Sequence, residues 1–237
     1  MAGPNLQGEA ATRNEGCGRW TMKVIYLQLA LLTAILAIAF SAAARAEDTD
    51  TAAVSTKTVQ AKMQYCEVCH GSSGQGFVGF YPIPRLAGQQ TEYLKNQLQA
   101  FVERRRLNPI MFNVAHVLSP AMQTALVTNF NDLNPKPLGG APKELVTAGK
   151  TIYGEGVPQG NVPACSGCHG ADAKGKGEFP RLAGQLYPYV VRELMDWGKE
   201  RGQNPDKPDT SAIMQPIAHS LTGPQVKAVA AYLSTLE

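Results

Sequence analysis

Two segments of the chain, residues 90–105 and 186–201, carry apolar residues three and four positions apart. This spacing places the apolar side chains on one face of an α-helix, so each segment is predicted to be an amphipathic helix. No segment alternates between apolar and polar residues as a half-buried strand would, and the predicted fold class is all-α. The apolar positions are Tyr93, Leu94, Leu98 and Phe101 in the first segment and Val190, Val191, Leu194 and Trp197 in the second.

Two further helices close the predicted halves of the chain. Ser119-Pro120 is typical of an N-cap followed by proline at the first helical position, and its helix is predicted to run to about Phe130. Thr222-Gly223-Pro224 starts the matching last helix, which is predicted to end near Leu236. Between the halves, residues 134–142 contain three prolines and no periodicity. This segment is therefore predicted to be an extended linker.

A long internal repeat pairs the two halves. Residues 66–70 recur 99 positions later as residues 165–169, and the block P-R-L-A-G-Q at 84–89 recurs unchanged at 180–185. A long period with a complete motif in each copy indicates tandem domains. A helix is predicted ahead of each cysteine motif, over residues 54–66 and 144–153. The predicted boundaries are 1–46 for an upstream extension and signal peptide, 47–133 for the first domain, 134–142 for the linker and 143–237 for the second domain.

Both cysteine motifs have the C-x-x-C-H sequence to which c-type haem is attached. Each cysteine can form a thioether with a haem vinyl group, and the histidine can bind the iron as proximal ligand. Two cysteines three residues apart on one helical turn can reach neighbouring vinyl groups. We therefore predict two covalently bound haem c groups and a chemistry of one-electron transfer. The predicted attachment residues are Cys66, Cys69 and His70 in the first half and Cys165, Cys168 and His169 in the second.

Other uses of C-x-x-C fit the sequence less well. A redox-active dithiol belongs in a thioredoxin-like βαβ context, whereas the predicted fold is all-α. A structural zinc site needs four ligands, but each motif supplies three and no second cluster of cysteine and histidine lies nearby. A chance match does not explain two copies in matching surroundings.

The sixth ligand of each iron is predicted from residues that repeat. Met111 and Met214 lie 41 and 45 residues after their histidines, and both follow proline-bearing sequence that is predicted to be loop. A thioether ligand gives a low-spin electron carrier, and Met111 and Met214 are our candidates for the distal positions. His116 and His219 also repeat, five residues after each methionine. Coordination of each iron by two histidines is therefore the alternative.

The repeated Pro-Arg pairs can support the two sites. A metal-bound imidazole usually donates its second N–H to a fixed acceptor such as a backbone carbonyl, which Pro84 and Pro180 can provide. Arg85 and Arg181 can pair with haem propionates, because a guanidinium binds a carboxylate in a bidentate way. A solvated surface charge is the alternative for both arginines. The three arginines at 104–106 are interpreted as a docking patch or, more commonly, a solvated helix end.

Residues 22–46 have the pattern of a secretory signal. Lys23 supplies the positive charge, residues 24–40 are apolar and uncharged, and small residues favour cleavage after Ala46. An uncleaved membrane anchor is the alternative, although a spanning helix needs ~20 apolar residues and this stretch is shorter. The sequence thus predicts a periplasmic protein that associates with a membrane only if the segment is retained.

The net charge and the number of cysteines indicate which ligands and cross-links the chain can have. Without residues 1–46 the chain has 18 basic and 17 acidic residues, and the propionates of two haems would make the holoprotein mildly acidic. This balance does not favour nucleic-acid binding. All four remaining cysteines belong to the two motifs, so no structural disulfide is predicted.

The chain resembles the dihaem cytochrome c4 family over nearly all of the sequence after residue 46. The resemblance rests on two C-x-x-C-H motifs, two P-R-L-A-G-Q blocks, two downstream methionines and a terminal helix in each half. It implies two tandem cytochrome c domains, each wrapped round one covalently attached haem. It also implies that Pro84 and Pro180 accept a hydrogen bond from the proximal histidines and that Met111 and Met214 are the distal ligands.

This resemblance implies a periplasmic one-electron carrier of a respiratory chain, and not an enzyme. The expected partners are redox proteins, with a cytochrome bc1 complex or a dehydrogenase as donor and a terminal oxidase as acceptor. Two alternatives stay open. One is an electron-transfer subunit bound to a periplasmic dehydrogenase, and the other is a dihaem enzyme of the peroxidase type with one open haem site.

Overall fold

The computed structural model describes residues 54–207 and 210–237, and the regular elements in these ranges are helices. Extended residues in the described ranges form only isolated bridges, such as that between Phe77 and Ile83. The all-α prediction is confirmed, whereas the predicted signal peptide lies outside the described residues. The α-helices of the first half, residues 54–133, are Thr56–His70 (α1), Thr91–Val102 (α2), Pro109–Ala115 (α3) and Pro120–Asp132 (α4). Those of the second half, residues 143–237, are Val146–Glu155 (α5), Ser166–His169 (α6), Tyr187–Met195 (α7), Trp197–Glu200 (α8), Ser211–Ser220 (α9) and Gly223–Leu233 (α10).

The helix ahead of each cysteine motif reaches that motif in a different way in the two halves. α1 is capped by the side chain of Ser55 and continues through the whole first motif to His70, so it is longer than the predicted helix 54–66. α5 is terminated by Gly156, which adopts φ of 74°, a conformation that glycine reaches without strain. A connecting segment, residues 156–165, then leads to the short α6 with the rest of the second motif.

The two segments predicted from apolar spacing form α2 in the first half and the pair α7 and α8 in the second. α2 is shorter than predicted and ends at Val102. The second segment is interrupted at Asp196, where φ of −107° and ψ of 15° depart from helical values. The apolar faces carry buried residues, including Leu94 and Phe101 of α2 and Val190 of α7.

The predicted N-caps of the two closing helices are present. The side chain of Ser119 accepts a hydrogen bond from the Met122 N–H of α4 at 3.3 Å. Thr222 forms a capping box with Gln225 at the start of α10, in which each side chain bonds the other residue's backbone N–H. α10 ends at Leu233, before the predicted end near Leu236.

Met111 and Met214 lie in the short helices α3 and α9, which were not predicted from the sequence. Asn108 caps α3 by accepting a hydrogen bond from the Met111 N–H at 3.0 Å, and Pro109 follows it directly. α9 contains Pro216 in its interior. Helices of 7 and 10 residues that include proline show little of the apolar periodicity by which longer helices are recognised.

The apolar core is continuous in the second half and divided in the first. In α5, Gly149 lies against the Ala228 carbonyl of α10, where a Cβ atom would overlap the backbone, and this lets the two helices approach closely. One cluster of buried residues in the second half consists of Tyr153, Ala173, Ala183, Val190, Val229, Ala230 and Leu233. The first half contains two smaller clusters, Val59, Leu118, Met122 and Leu126 in one and Leu94, Val127 and Phe130 in the other, and the partly buried Met63 and Leu98 pack against both.

The two halves and the segment between them belong to one compact unit. Residues 134–142 contain no helix, and the domain boundaries on either side of them stay predictions. Within the described ranges no single helix is long and apolar enough to cross a membrane. The one successive pair that meets those criteria together, Pro109–Ala115 with Pro120–Asp132, is bent by 114°.

Candidate functional site

The two motif histidines end their helices in buried positions and are held by equivalent hydrogen bonds. The Nδ1–H of His70 donates to the Pro84 carbonyl at 2.9 Å, and that of His169 donates to the Pro180 carbonyl at 3.0 Å. A carbonyl can only accept, so the proton lies on Nδ1 and the lone pair of Nε2 stays available for a metal. Histidine and proline therefore lie together in each half as the repeat suggested.

Burial also keeps both imidazoles uncharged. It lowers the pKa of His169 below the usual value near 6.5, although the Pro180 carbonyl acts in the opposite direction. Burial lowers the pKa of His70 as well, opposed by the bond to Pro84 and reinforced by the positive charge of Arg106. A neutral imidazole is the form that binds iron, so both histidines are in the ligating state at neutral pH.

The backbone after each motif folds back in the same way to place the proline carbonyl. The carbonyl of Gly74 accepts from the N–H groups of residues 86 and 87 at 2.8 and 3.0 Å, and that of Ala173 accepts from residues 182 and 183 at 2.7 and 2.9 Å. Gly74 and Ala173 both adopt positive φ, at 64° and 57°. Because the two turns agree, the Pro-Arg peptides are brought to the histidines from matching directions.

The motif cysteines are free thiols that differ in solvent exposure. Cys66 and Cys165 are half-buried, and Cys69 and Cys168 are exposed. Burial raises the pKa of both Cys66 and Cys165. In residues 54–207 and 210–237, no group of three or more His, Cys, Asp and Glu side chains is placed to hold a metal ion. The described residues thus offer no zinc-type cluster, and the four thiols are unpaired as haem attachment requires.

Arg85 and Arg181 are buried, so the alternative of a solvated surface charge is wrong for both. Each Nε donates to a carbonyl two residues ahead, Arg85 to Ala87 at 3.1 Å and Arg181 to Ala183 at 3.0 Å. Within the described part of the chain, Nη1 of Arg85 and Nη2 of Arg181 are buried and lack a hydrogen-bond acceptor. Burial, together with the charge of Arg181, lowers the pKa of Arg85 to about 10, so Arg85 stays charged at neutral pH.

These unpaired guanidinium nitrogens test whether the site fits haem c. A buried cationic donor without an acceptor is costly, and a carboxylate is the group that satisfies it best. Haem carries two propionate carboxylates, besides the iron and the two vinyl groups that the cysteines convert into thioether links. Free thiols, neutral buried imidazoles and buried unpaired guanidinium groups are together what this group needs, so the residues of both sites fit it.

Gln89 and Gln185, the last residues of the P-R-L-A-G-Q blocks, join the two halves. Gln185 accepts from the Arg85 N–H at 2.9 Å and donates to the Arg85 carbonyl at 3.1 Å. Gln89 accepts from the Arg181 N–H at 2.7 Å and donates to the Arg181 carbonyl at 3.0 Å. No role was predicted for these glutamines. Their repetition in register with the prolines was the available signal.

The three arginines at 104–106 do not form the patch or the solvated helix end that was predicted. Arg104 is exposed and lies over the Phe112 ring at 4.5 Å, but Arg105 and Arg106 are buried. Arg105 donates from Nε to Glu103 at 2.7 Å. Arg106 enters the interface between the halves, where its partners come from both of them.

Arg106 belongs to a buried ion cluster formed by Gln97, Arg106, Tyr189, Glu193 and Arg201. Arg106 Nη2 lies 3.1 Å from both oxygens of Glu193 and 2.9 Å from the Tyr189 hydroxyl, and Arg201 Nη2 lies 2.6 Å from Glu193. Gln97 Oε1 accepts from Arg106 at 2.8 Å and from Arg201 at 2.9 Å. Burial alone would raise the pKa of Glu193, but the two guanidinium groups outweigh it and hold the pKa at about 2.

The candidate distal ligands lie in the two short helices that sequence analysis missed. Met111 of α3 and Met214 of α9 are half-buried, whereas His116 and His219 are exposed. The His116 ring stacks on Phe112 with 5.2 Å between centroids, and its Nδ1–H donates to the Phe112 carbonyl at 3.0 Å. Burial favours the methionines over the histidines, and the distal assignment stays a prediction.

Comparisons with known proteins agree with this geometry. A family model described as cytochrome c matches residues 146–237. Cytochrome c-552 of Acidithiobacillus ferridurans is 40% identical to the chain over 177 residues, which are 72% of this chain and 73% of that protein. The thiosulfate dehydrogenase electron acceptor of Thiomonas intermedia is 36% identical over 71% of this chain and 77% of that protein. Cytochrome c4 of Thiocapsa roseopersicina is 36% identical over 72% of this chain and 86% of that protein.

A solved structure is similar over the same region. The cytochrome c4 of Acidithiobacillus ferrooxidans superposes on the chain with a TM-score of 0.63 and 38% sequence identity. The match covers 73% of this chain and 99% of that one. A match over 73% of the chain extends well beyond residues 146–237, which the family model matches.

Proposed function

The chain belongs to the cytochrome c4 family of dihaem electron carriers, and we propose that it transfers single electrons in the periplasm within a respiratory chain. It binds haem c covalently at its Cys-x-x-Cys motifs. When bound, each haem c supplies an iron that changes between Fe(III) and Fe(II) and so takes up and releases one electron. The observation that carries the proposal is the pair of equivalent histidine supports, His70 with Pro84 and His169 with Pro180.

Each proposed site residue has one task. Cys66 and Cys69, and likewise Cys165 and Cys168, form the thioether links, while His70 and His169 are the proximal ligands. Met111 and Met214 are the distal ligands. The buried guanidinium groups of Arg85 and Arg181 hold propionate carboxylates. Because the two histidines and the two arginines are buried and hydrogen-bonded, they reorient little when the charge at the iron changes.

The proposed partners are redox proteins. A cytochrome bc1 complex or a dehydrogenase supplies electrons, and a terminal oxidase accepts them. The relative from Thiomonas intermedia, named as the electron acceptor of thiosulfate dehydrogenase, supports a dehydrogenase as donor. It also supports the second candidate function, in which the chain is an electron-transfer subunit that stays bound to such a dehydrogenase.

A carbon monoxide difference spectrum of the dithionite-reduced holoprotein tests the electron-carrier function. With both distal positions filled by methionine, we expect no carbon monoxide binding at a content of two haems per chain. Binding by the unaltered protein would contradict this and favour an enzyme with an open haem site. Met111→Ala and Met214→Ala variants should each bind one equivalent, and His116→Ala and His219→Ala are the matched controls that should bind none.

Two simpler measurements test location and partner. The amino terminus of the protein recovered from a periplasmic fraction should begin at Glu47 if cleavage follows Ala46. Purification at physiological salt separates a free carrier from a bound subunit, because only the subunit elutes with a stoichiometric larger protein. Reduction of the purified chain by a thiosulfate dehydrogenase and thiosulfate tests the dehydrogenase as donor. If thiosulfate dehydrogenase does not reduce the chain but a bc1 complex does, the dehydrogenase is excluded as donor and the proposal of a respiratory carrier remains.

A further inference from the structure

We propose that Gln89 and Gln185 are positioning residues that act across the interface, each on the proximal histidine of the opposite half. Gln185, in the second half, acts on His70, and Gln89, in the first half, acts on His169. The proposal rests on the proposed ligation of iron by these two histidines. It concerns how strongly each imidazole donates electrons, and therefore the reduction potential of each haem.

The first step is that one peptide group contacts both the histidine and the opposite glutamine. The Pro84–Arg85 peptide is trans, so its carbonyl and its N–H point in opposite directions. The carbonyl accepts from His70 Nδ1 at 2.9 Å, and the N–H donates to Gln185 Oε1 at 2.9 Å. A continuous chain of hydrogen bonds therefore runs from the imidazole through one peptide to a side chain of the other half.

The second half contains the same chain of bonds with the halves exchanged. The Pro180 carbonyl accepts from His169 Nδ1 at 3.0 Å, and the N–H of the same peptide, on Arg181, donates to Gln89 Oε1 at 2.7 Å. Both glutamines are buried, at 5% and 7% exposure, so water does not compete for these bonds. The arrangement is thus reciprocal, and each half supplies one glutamine and one peptide.

The glutamine side chains are fixed in this position by further bonds. Gln185 Oε1 also accepts from the Leu186 N–H at 3.0 Å, and Gln89 Oε1 accepts from the Gln90 N–H at 2.9 Å. Each Nε2 donates to the carbonyl of the opposite arginine. An amide is needed because only a group with both a donor and an acceptor can pair with the two sides of one residue's backbone.

The physical consequence follows from polarisation along the chain of bonds. An acceptor at a peptide N–H increases the negative charge on the carbonyl oxygen of the same peptide. A more negative carbonyl binds the imidazole N–H more strongly and makes the imidazole a better electron donor to iron. This favours Fe(III) over Fe(II), so each glutamine lowers the reduction potential of the haem in the opposite half.

The test is a redox titration of the holoprotein with Gln185→Leu, Gln89→Leu and a matched control. Gln90→Leu is the control, because the Gln90 side chain also donates across the interface, to the carbonyls of Lys174 at 2.8 Å and Gly175 at 3.4 Å, and neither acceptor belongs to a Pro-Arg peptide. Following the paramagnetically shifted haem methyl resonances during the titration gives a separate potential for each haem. The Nδ1–H resonance of each proximal histidine reports the strength of its own hydrogen bond.

We expect the shifts to cross the interface. Gln185→Leu should raise the potential of the first-half haem and weaken the His70 hydrogen bond, and Gln89→Leu should do the same for the second-half haem and His169. Gln90→Leu should move neither potential. A shift confined to the haem of the mutated half, equal shifts at both haems, or no shift would each overturn the proposal.

A second variant decides the matter if the leucine substitutions prevent folding. Gln185→Glu keeps an acceptor for the Arg85 N–H, and the positive charges of Arg85 and Arg181 favour its ionised form. It should lower the potential of the first-half haem more than that of the second, and the reverse order would contradict the proposal. The unaltered protein must first show two c-type haem couples. If it does not show them, the proposed function is contradicted, and the result does not bear on the role of the glutamines.

Discussion

The histidine supports of the two halves can be compared atom by atom. His70 donates to Pro84 at 2.9 Å and His169 donates to Pro180 at 3.0 Å. The halves reach this likeness from different local structures, because α1 runs through the first motif whereas a connecting segment separates α5 from the second. The geometry at the iron ligand is therefore independent of how the preceding helix ends.

The two halves differ in the residues that they contribute to the buried ion cluster. Gln97 and Glu193 occupy equivalent positions, since they are 96 residues apart, as are Pro84 and Pro180. Both accept hydrogen bonds from the two arginines, Arg106 and Arg201. Two amides would leave both buried guanidinium groups without a counter-charge, and one carboxylate lets a single side chain bridge them. The repeat is preserved at the histidines and has diverged where each half must recognise the other.

The largest effect is expected from removing the haem attachment cysteines of one half while those of the other half are kept. Replacing Cys66 and Cys69 together by serine, or Cys165 and Cys168 together, should halve the covalently bound haem, because neither half can attach its group without its thiols. A pyridine haemochrome assay and the mass of the denatured chain measure the loss. Complete loss from one pair alone would show that attachment in the two halves is coupled.

The next largest effect is expected in the free energy of unfolding when the carboxylate of the buried ion cluster is moved from one half to the other. Glu193→Gln removes the one carboxylate from two buried arginines and should cost about 3–5 kcal/mol in the free energy of unfolding. Gln97→Glu places a carboxylate where Gln97 already contacts both arginines. The double variant Gln97→Glu with Glu193→Gln should therefore recover most of the loss. Denaturant unfolding of the holoproteins measures all three.

A matched control shows whether the lost stability comes from the burial of Glu193 or simply from the loss of one negative charge. Glu200→Gln makes the same substitution nearby, but Glu200 pairs with Arg192 at the longer distance of 3.4 Å and is 22% exposed. Its cost should stay below about 1 kcal/mol, as for other partly exposed pairs. If the double variant were as unstable as Glu193→Gln alone, the two equivalent positions would not be interchangeable and the comparison of the halves would fail there.

Acid should remove the same stabilisation without a mutation. The folded-state pKa of Glu193 is about 2, below the ordinary value of 4.5, so its contribution is complete above pH 4.5 and is lost as the pH falls towards 2. The loss is on the order of 3 kcal/mol, by the free energy of one pKa unit. The stability difference between the unaltered protein and Glu193→Gln should shrink over this range. A difference independent of pH would contradict it.

The chemistry of single residues was predictable from the sequence, whereas partnerships across the chain were not. The motif spacing locates Cys66 and His70, and Ser119 was correctly recognised as an N-cap because its partner lies three residues away. Arg106 was misread because its charge is balanced by Glu193, 87 residues further along the chain. A charged run is predicted to be solvated unless its partner is visible, and folding brings this one from the other half.

The missed helices have a local cause. α3 and α9 are short, and the prolines at 109 and 216 hide the helical pattern. α3 is nevertheless stabilised by the Asn108 cap, which a search for caps without apolar periodicity would have found. The roles of Gln89 and Gln185 could not be read locally, because their bonds join residues 92 and 100 positions apart.

The last comparison concerns the first turns of the two closing helices, where the caps carry the smallest expected effects. Ser119→Ala and Thr222→Ala each remove a side-chain acceptor from a backbone N–H and should each cost about 1 kcal/mol. The third helical position differs, because it is Met122 in the first half, buried in the core, and Gln225 in the second, where its side chain accepts from the Thr222 N–H at 2.8 Å. Gln225→Ala should therefore cost about 0.5 kcal/mol, through one exposed hydrogen bond, whereas Met122→Ala should cost 2–5 kcal/mol, as loss of a buried side chain does. Equal costs at these two positions, measured by thermal unfolding, would mean that the halves close their helices in the same way after all.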